Sequence, residues 1–422
     1  MQKAVPNLTV LTAVAIVCVW FGMSALAQRA GRARQLALVG GTVYANPEEG
    51  PIRGGVVLVR DGTIAAVNRR ASAKLPAAVQ TIDCSGLTIM AGFWNSHAHF
   101  FERKWVDAGA LPAMELERQI AEMLTRYGFT SVFDIGSDGS NTRRLRARIE
   151  SGEVAGPRIR STGEVLVAAG AVPPDAVIGA LGYMTVRNFD VSSAAQATSA
   201  VKRLVDDGAD GIKVHLQPPP SPHPPFPASA IQAAVDEAHR AGKPVFVHPS
   251  SGADVLAAIR AGVDVIAHTT PTSGPWDTTI LMAMKEHRVA LTPTLTVWKD
   301  LLRHDRISLQ ERSTRIAVGQ LQAWVAAGGT VLFGSDLGAV GYDPTEEYTL
   351  MADAGMSFRQ ILASLTAAPA ETFGVSANLG RIAPGAAADL TIIRGDPSQD
   401  IRALASVRYT LRDGNIIYRA PR

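Results

Sequence analysis

Between residues 93 and 336 the chain alternates short apolar runs with helix-like stretches, and this alternation restricts its possible folds more than any other feature. The runs fall at 93–100, 130–135, 158–164, 211–216, 245–249, 264–269, 290–297 and 330–336. Stretches such as 228–241, 253–260 and 278–287 read as helices between them. Gly128, Gly208, Gly242 and Gly262 stand where a helix would close before the next strand, because glycine takes the left-handed C-cap conformation at no steric cost. Eight strand–helix units in roughly 285 residues have the size of a (β/α)8 barrel. A doubly wound open sheet is the alternative on pattern alone.

The two ends of the chain read differently. Residues 36–39, 56–59 and 64–67 form β-type runs, with Asp61-Gly62 as a tight hairpin turn. Residues 390–393, 407–411 and 416–418 repeat the style around Asp413-Gly414. Residues 36–90 and 377–422 are therefore expected to build one small β-sandwich, and 91–376 the barrel. With 422 residues and 47% hydrophobic content, such a chain can bury a large core. A net charge of +3 with scattered Lys and Arg points to no nucleic-acid partner.

Residues 1–27 have the layout of a cleaved export signal. Lys3 is followed by an apolar stretch over 8–21, and Ala25-Leu26-Ala27 places small residues before Gln28. An Arg-rich linker, 28–35, follows. The expectation is a secreted or periplasmic protein; an uncleaved membrane anchor is the alternative. Cleavage would remove Cys18 and leave Cys84 alone, so no intramolecular disulfide is expected.

The polar residues favour the barrel. His97 and His99 lie on the first run, Lys213 on the fourth, His248 on the fifth, His268 on the sixth and Asp336 on the eighth, each at or near the C-terminal end. That rim is where reactive groups of a β/α barrel converge. His97 and His99, two residues apart on a strand, face the same way and can clasp one ion. Further His residues and a carboxylate complete an N/O site suited to Zn2+ or a similar divalent metal. Singly, each has an ordinary explanation: a satisfied core histidine, a rim cation, a helix cap. Six coincidences at equivalent positions do not.

With these residues in place, the chain resembles the metal-dependent amidohydrolase superfamily, in its imidazolonepropionase-like and Xaa-Pro dipeptidase (prolidase) branch. The matching stretches are Ala91-Gly92-Phe93-Trp94-Asn95-Ser96-His97-Ala98-His99, Gly208-Ala209-Asp210-Gly211-Ile212-Lys213, Phe333-Gly334-Ser335-Asp336 and Pro384-Gly385-Ala386-Ala387-Ala388-Asp389-Leu390. The last is a structural signature without a catalytic role. The resemblance implies two divalent metals, with His97, His99 and Asp336 on one and His248 and His268 on the other. It further implies that Lys213 bridges them as a CO2-derived carbamate, which supplies two anionic oxygens where an ammonium would repel the cations. A metal-bridging hydroxide would then attack the substrate carbonyl, with Asp336 as general base and then acid. The sequence departs from the branch at Pro249-Ser250 after His248 and at Thr269-Thr270-Pro271 after His268.

The substrate is expected to be a small molecule. The nearly uncharged segment 165–186, the Pro-rich segment 218–227, and Trp276, Trp298 and Tyr342 would suit an apolar or aromatic moiety, though the same residues serve equally to pack loops. His215, two residues past Lys213, would face substrate or solvent. His223, His239, His287 and His304 read as structural or surface residues. The expected activity is hydrolysis of a C–N bond in a dipeptide, N-acyl amino acid or cyclic amide. A lactonase or esterase using the same water, and an inactive binding barrel, are the alternatives, and a homo-oligomer is compatible with either.

Overall fold

A computed structural model describes residues 35–69, 75, 79–171, 187–216, 225–301 and 307–421. The expected export signal, residues 28–34 of the linker, most of the Pro-rich segment, His223 and His304 lie outside the described residues.

The chain opens with β1 (Gln35–Tyr44), β2 (Ile52–Arg60), β3 (Thr63–Arg69), β4 (Gln80–Asp83) and β5 (Leu87–Ala91). β1, β2 and β3 pair antiparallel, and the turn between β2 and β3 has positive φ at both Asp61 (49°) and Gly62 (81°). That combination matches the twist of the flanking strands, as the Asp-Gly signal predicts. β1 pairs in parallel with β4 along 36–39 and with β5 along 42–44. Cys84 is buried and free, its thiol pushed up to about 12 by burial.

One residue, Gly92, separates β5 from β6 (Phe93–Ala98). A Cβ there would lie 2.1 Å from the Thr130 hydroxyl oxygen, so only glycine lets the chain pass directly into the next strand. The parallel strands continue with β7 (Phe129–Asp134), β8 (Arg158–Ser161), β9 (Val165–Ala168), β10 (Asn188–Val191), β11 (Ile212–Leu216), β12 (Val245–Pro249), β13 (Val265–Ala267) and β14 (Ala290–Thr292). They form one sheet in the order β6-β7-β8 and another in the order β10-β9-β11-β12-β13-β14. Segment 330–337 joins them: Leu332 N donates to Leu291 O on one side (2.9 Å), and Ser96 N donates to Phe333 O on the other (2.7 Å). Trp94, Phe133, Phe246, Val265, Ala290 and Leu332, from six of these segments, share one interior cluster with Phe373. Burying a side chain of this size stabilises by roughly 1.5–3 kcal/mol.

Three expected strands are altered. The run over 158–164 breaks at Gly163, whose φ is 66°; β8 pairs with β7, whereas β9 pairs with β11. Residues 165–168, expected to begin a loop, are therefore in the sheet. The run over 290–297 stops at Thr292, because Pro293 has no N–H to donate and Thr294 has φ 45°; a short helix, Val297–Leu301, follows and carries Trp298. The run over 330–336 makes only an isolated bridge, Val331 to Leu291, and not a regular strand.

β15 (Leu390–Arg394), β16 (Val407–Arg412) and β17 (Asn415–Arg419) complete the terminal sheet. Its order is β17-β16-β15-β5-β1-β2-β3, with β4 on β1, so hydrogen bonds link both chain ends in one eight-stranded ladder. The ladder curls back on itself at the two hairpin turns, where Ala388 N donates to Gly62 O (2.8 Å) and Gly414 N to Ala388 O (3.0 Å). Leu38, Val57, Ile89, Leu390, Ile392 and Leu411 are buried in its core. Asp389, from the 384–390 motif, accepts from Arg158 Nε at 2.9 Å and from Asp413 N at 2.8 Å. It ties β8 to the terminal sheet, a structural task. No helix among the described residues is long and apolar enough to cross a membrane.

Candidate metal centre

The end of β6 and the turn after residue 333 are pressed together. A Cβ on Gly334 would stand 2.7 Å from His97 Cβ and 2.4 Å from Thr292 Cγ2, so the close approach requires glycine. Asn95 fixes both sides, its Nδ2 donating to Ser335 Oγ (3.0 Å) and its Oδ1 accepting from His97 N (3.1 Å). Asp336 follows with φ 61°, a conformation that aspartate tolerates better than most residues. Its Oδ1 comes to 3.2 Å from His97 Nε2 and 2.9 Å from His99 Nε2. The ligand atoms of this His-His-Asp group all lie within 4.8 Å of one another.

Hydrogen-bond accounting shows what these atoms offer. His99 Nδ1 lies 2.9 Å from Gly136 O, and a carbonyl only accepts, so Nδ1 carries a proton and Nε2 is the nitrogen turned to the site. Burial lowers the His97 pKa to about 3, which leaves its ring neutral. Burial would raise the Asp336 carboxyl, but His97 and His99 beside it hold it well below the usual range. Oδ1 nevertheless accepts no hydrogen bond, and the buried His97 Nδ1 has no partner either. Two imidazole Nε2 atoms and a carboxylate oxygen thus converge with no aligned hydrogen bond between them. This donor set fits a divalent cation.

The remaining expected residues continue from this group. The His268 ring centroid is 4.5 Å from that of His97 and 4.4 Å from that of His248. Parallel pairing puts Lys213 opposite Phe246 and His215 opposite His248, and the latter two rings stack at 3.9 Å and 17°. Lys213 is 3% exposed; burial lowers its pKa to about 7 against the attraction of Asp336. Burial, then neighbouring charge, likewise holds His248 and His268 well below the ordinary imidazole value. All six expected ligand positions therefore gather at one end of the parallel strands.

The expected pocket-wall residues are engaged with protein groups. Trp276 Nε1 donates to Thr270 Oγ1 and Trp298 Nε1 to Thr269 Oγ1, both at 2.8 Å. The hydroxyls of the two threonines after His268 thus serve as acceptors for the two indoles. Tyr342 Oη accepts from Lys104 Nζ at 2.5 Å and donates to Glu102. His239 pairs with Asp264 at 2.9 Å, and exposed His287 caps the helix Thr278–Glu286.

Three buried residues were not anticipated. Gln320 grips the Thr270 backbone, its Oε1 accepting from Thr270 N (2.7 Å) and its Nε2 donating to Thr270 O (2.9 Å). Glu347 accepts from Leu295 N (2.8 Å), Thr296 N (2.9 Å) and Thr296 Oγ1 (3.0 Å). Thr294 contacts the His268 ring at 2.6 Å. Only the Pro293-Thr294 dipeptide, a strand-breaking signal, could have drawn attention to this region.

Comparison with known proteins decides the family. The model of the amidohydrolase family matches residues 88–418, most of the chain. The chain belongs to the amidohydrolase family. This amidohydrolase is a hydrolase acting on carbon–nitrogen bonds, in a family that depends on metal. It is 25% identical over 390 residues to an ochratoxinase from Aspergillus niger, covering 83% of this chain and 80% of that one. Among solved structures, a prolidase complexed with N-methylphosphonate-L-proline is 27% identical at TM-score 0.75, covering 92% and 100% of the two chains. A Xaa-Pro dipeptidase with bound methionine matches at TM-score 0.77 and 22% identity over the same shares, a likeness of fold. These neighbours imply a TIM-like barrel with an added domain for the amidohydrolase.

Proposed function

We propose that this amidohydrolase cleaves the amide bond of a small substrate, such as a dipeptide or an N-acyl amino acid, at a two-metal centre. The observation that carries the reading is the convergence of His97 Nε2, His99 Nε2 and Asp336 Oδ1, continued without a gap by His268 and His248. His97, His99 and Asp336 would hold one divalent cation, with zinc suited to these donors, and His248 and His268 a second. Lys213, buried near these groups, would fit a bridging carbamate better than an ammonium, which would repel both ions. When bound, the metals supply a water acidified to near neutrality and a polarised carbonyl.

The chain's own groups do the rest. Asp336 is held in its ionised form, so its carboxylate could take a proton from the attacking water and pass it to the leaving nitrogen. His99 is held by Gly136 O and cannot drift from its tautomer. His215, stacked on His248 and half-buried, would meet the substrate at the mouth. Trp276, Trp298 and Tyr342 would shape an apolar wall from behind, their polar atoms being committed to the loops. The terminal segments 36–90 and 377–422 would act as one unit around the barrel, and residues 1–27 as an export signal.

A panel of Xaa-Pro and other dipeptides, N-acyl amino acids, ochratoxin and lactones, offered to metal-replete protein, tests the reading. Turnover of amides that is lost on chelation supports it. Turnover of lactones alone replaces amide hydrolysis by ester hydrolysis, and no bound metal with no turnover refutes the reading.

A further inference from the structure

His268 is held by a neighbour whose own conformation is unfavourable. Thr294 has φ 45°, a region that β-branched residues avoid because Cβ crowds the backbone. The conformation persists only if the surroundings enforce it. Pro293 precedes it, and the next two amides, Leu295 N and Thr296 N, both donate to the carboxylate of Glu347 on the helix Thr345–Asp353. Thr296 Oγ1 donates to the same carboxylate, which is fully buried. A buried carboxylate with three donors costs heavy desolvation for a merely structural contact, and burial raises its pKa to about 7.

The consequence lies at the imidazole. Thr294 Oγ1 donates its single proton to Pro293 O at 2.9 Å. It can then only accept from His268 Nδ1, 2.6 Å away. We propose that Glu347 is a positioning residue: by binding the amides of Leu295 and Thr296 it holds Thr294 so that the threonine hydroxyl fixes His268 as its Nδ1–H tautomer, with Nε2 open to the site. This goes deeper into the proposed metal centre and rests on it only for the value of an open Nε2. Groups outside the ligand shell that orient a ligating histidine commonly govern affinity in this way.

The test uses Thr294→Val, which keeps the branched shape and removes the hydroxyl, Thr294→Ser, which restores it, and Glu347→Gln. The 15N shifts of the His268 ring, assigned with His268→Gln, are read in chelator-treated full chain, and Zn2+ affinity is read by competition with a chromophoric chelator. Wild type and Thr294→Ser are expected to show Nδ1–H. Thr294→Val and Glu347→Gln are expected to show mixed tautomers and to bind Zn2+ about 10- to 100-fold more weakly. Should Glu347→Gln not fold, the Thr294 pair still decides. An Nε2–H wild type, or folded variants with unchanged tautomer and affinity, overturns the proposal. A wild type that binds no Zn2+ but shows Thr294-dependent Nδ1–H rejects the metal reading and leaves the positioning role standing.

Discussion

The Oδ1 atom of Asp336 lies 2.9 Å from Nε2 of His99 and accepts no hydrogen bond. His99 Nδ1 is committed to Gly136 O, so Nε2 is the nitrogen turned to the carboxylate. The imidazoles hold the Asp336 carboxyl well below its usual range, so the ionised form is the one the fold favours. Asparagine tolerates the backbone at φ 61° but carries no charge. Chelated Asp336→Asn should therefore unfold at a lower temperature than chelated wild type, and should also lose metal-induced stabilisation and activity. Calorimetry with and without Zn2+ reads both effects; a variant as stable as wild type in chelator would contradict a favoured carboxylate.

Lys213 sits opposite Phe246 in register, one step below the stacked His215 and His248. If it carries a bridging carbamate, Lys213→Ala should bind fewer metal ions per chain than wild type, with most activity lost. Reconstitution of the wild type should speed up with added bicarbonate. Elemental analysis of dialysed protein checks the first point, and equal stoichiometry in variant and wild type would rule the bridge out.

Gly334 gives the site its compactness. Alanine there would drive a methyl group to 2.7 Å from His97 Cβ and 3.0 Å from the His97 backbone nitrogen. The strands must part, at a cost of roughly 1–3 kcal/mol. His97 then moves off Asp336, so Zn2+ affinity should fall at least about tenfold. Gly341→Ala, with nothing within 4 Å, is the control and should change stability by less than about 0.5 kcal/mol. Urea unfolding of both variants makes the comparison.

Glu347 gives stability a pH dependence opposite to that of most native carboxylates. Its pKa is raised from 4.5 to about 7, so the native state binds this proton more tightly than the unfolded chain does. Its contribution is most favourable below pH 4.5, falls as pH rises towards 7, and is level beyond. At 1.36 kcal/mol per unit the whole fall is roughly 3 kcal/mol. Glu347→Gln cannot ionise and should lack it. Unfolding free energies of variant and wild type, measured across this range in chelator, should therefore diverge; parallel curves would show that the carboxyl is not perturbed.

What the sequence reveals here follows from periodicity and reach. Two-residue spacing on a strand puts His97 with His99 and Lys213 with His215, and Asp-Gly marks both hairpin turns. These are local rules, and the structure obeys them. The strand ends at Thr292 and the break at Gly163 depend on backbone conformations that apolar runs do not encode. Glu347 is 52 residues from Leu295, and Gln320 is 50 from Thr270. No local pattern relates such partners, because each contact exists only once a helix has docked on the strand ends. The terminal strands are joined in one ladder because β1 changes partner midway, from β4 to β5, a switch that no spacing in the sequence announces.

The single-residue link at Gly92 has a consequence for biosynthesis. β5 takes its outer neighbour from β15, which lies some 300 residues later, with Ala91 opposite Leu390. While the ribosome is still working, the strand bearing His97 is therefore spliced to a ladder with an open edge. Such edges recruit other chains. A polypeptide released early would carry nearly every residue of the centre and yet be exposed to aggregation. Only the arrival of β15 closes that edge, beside a site encoded far upstream.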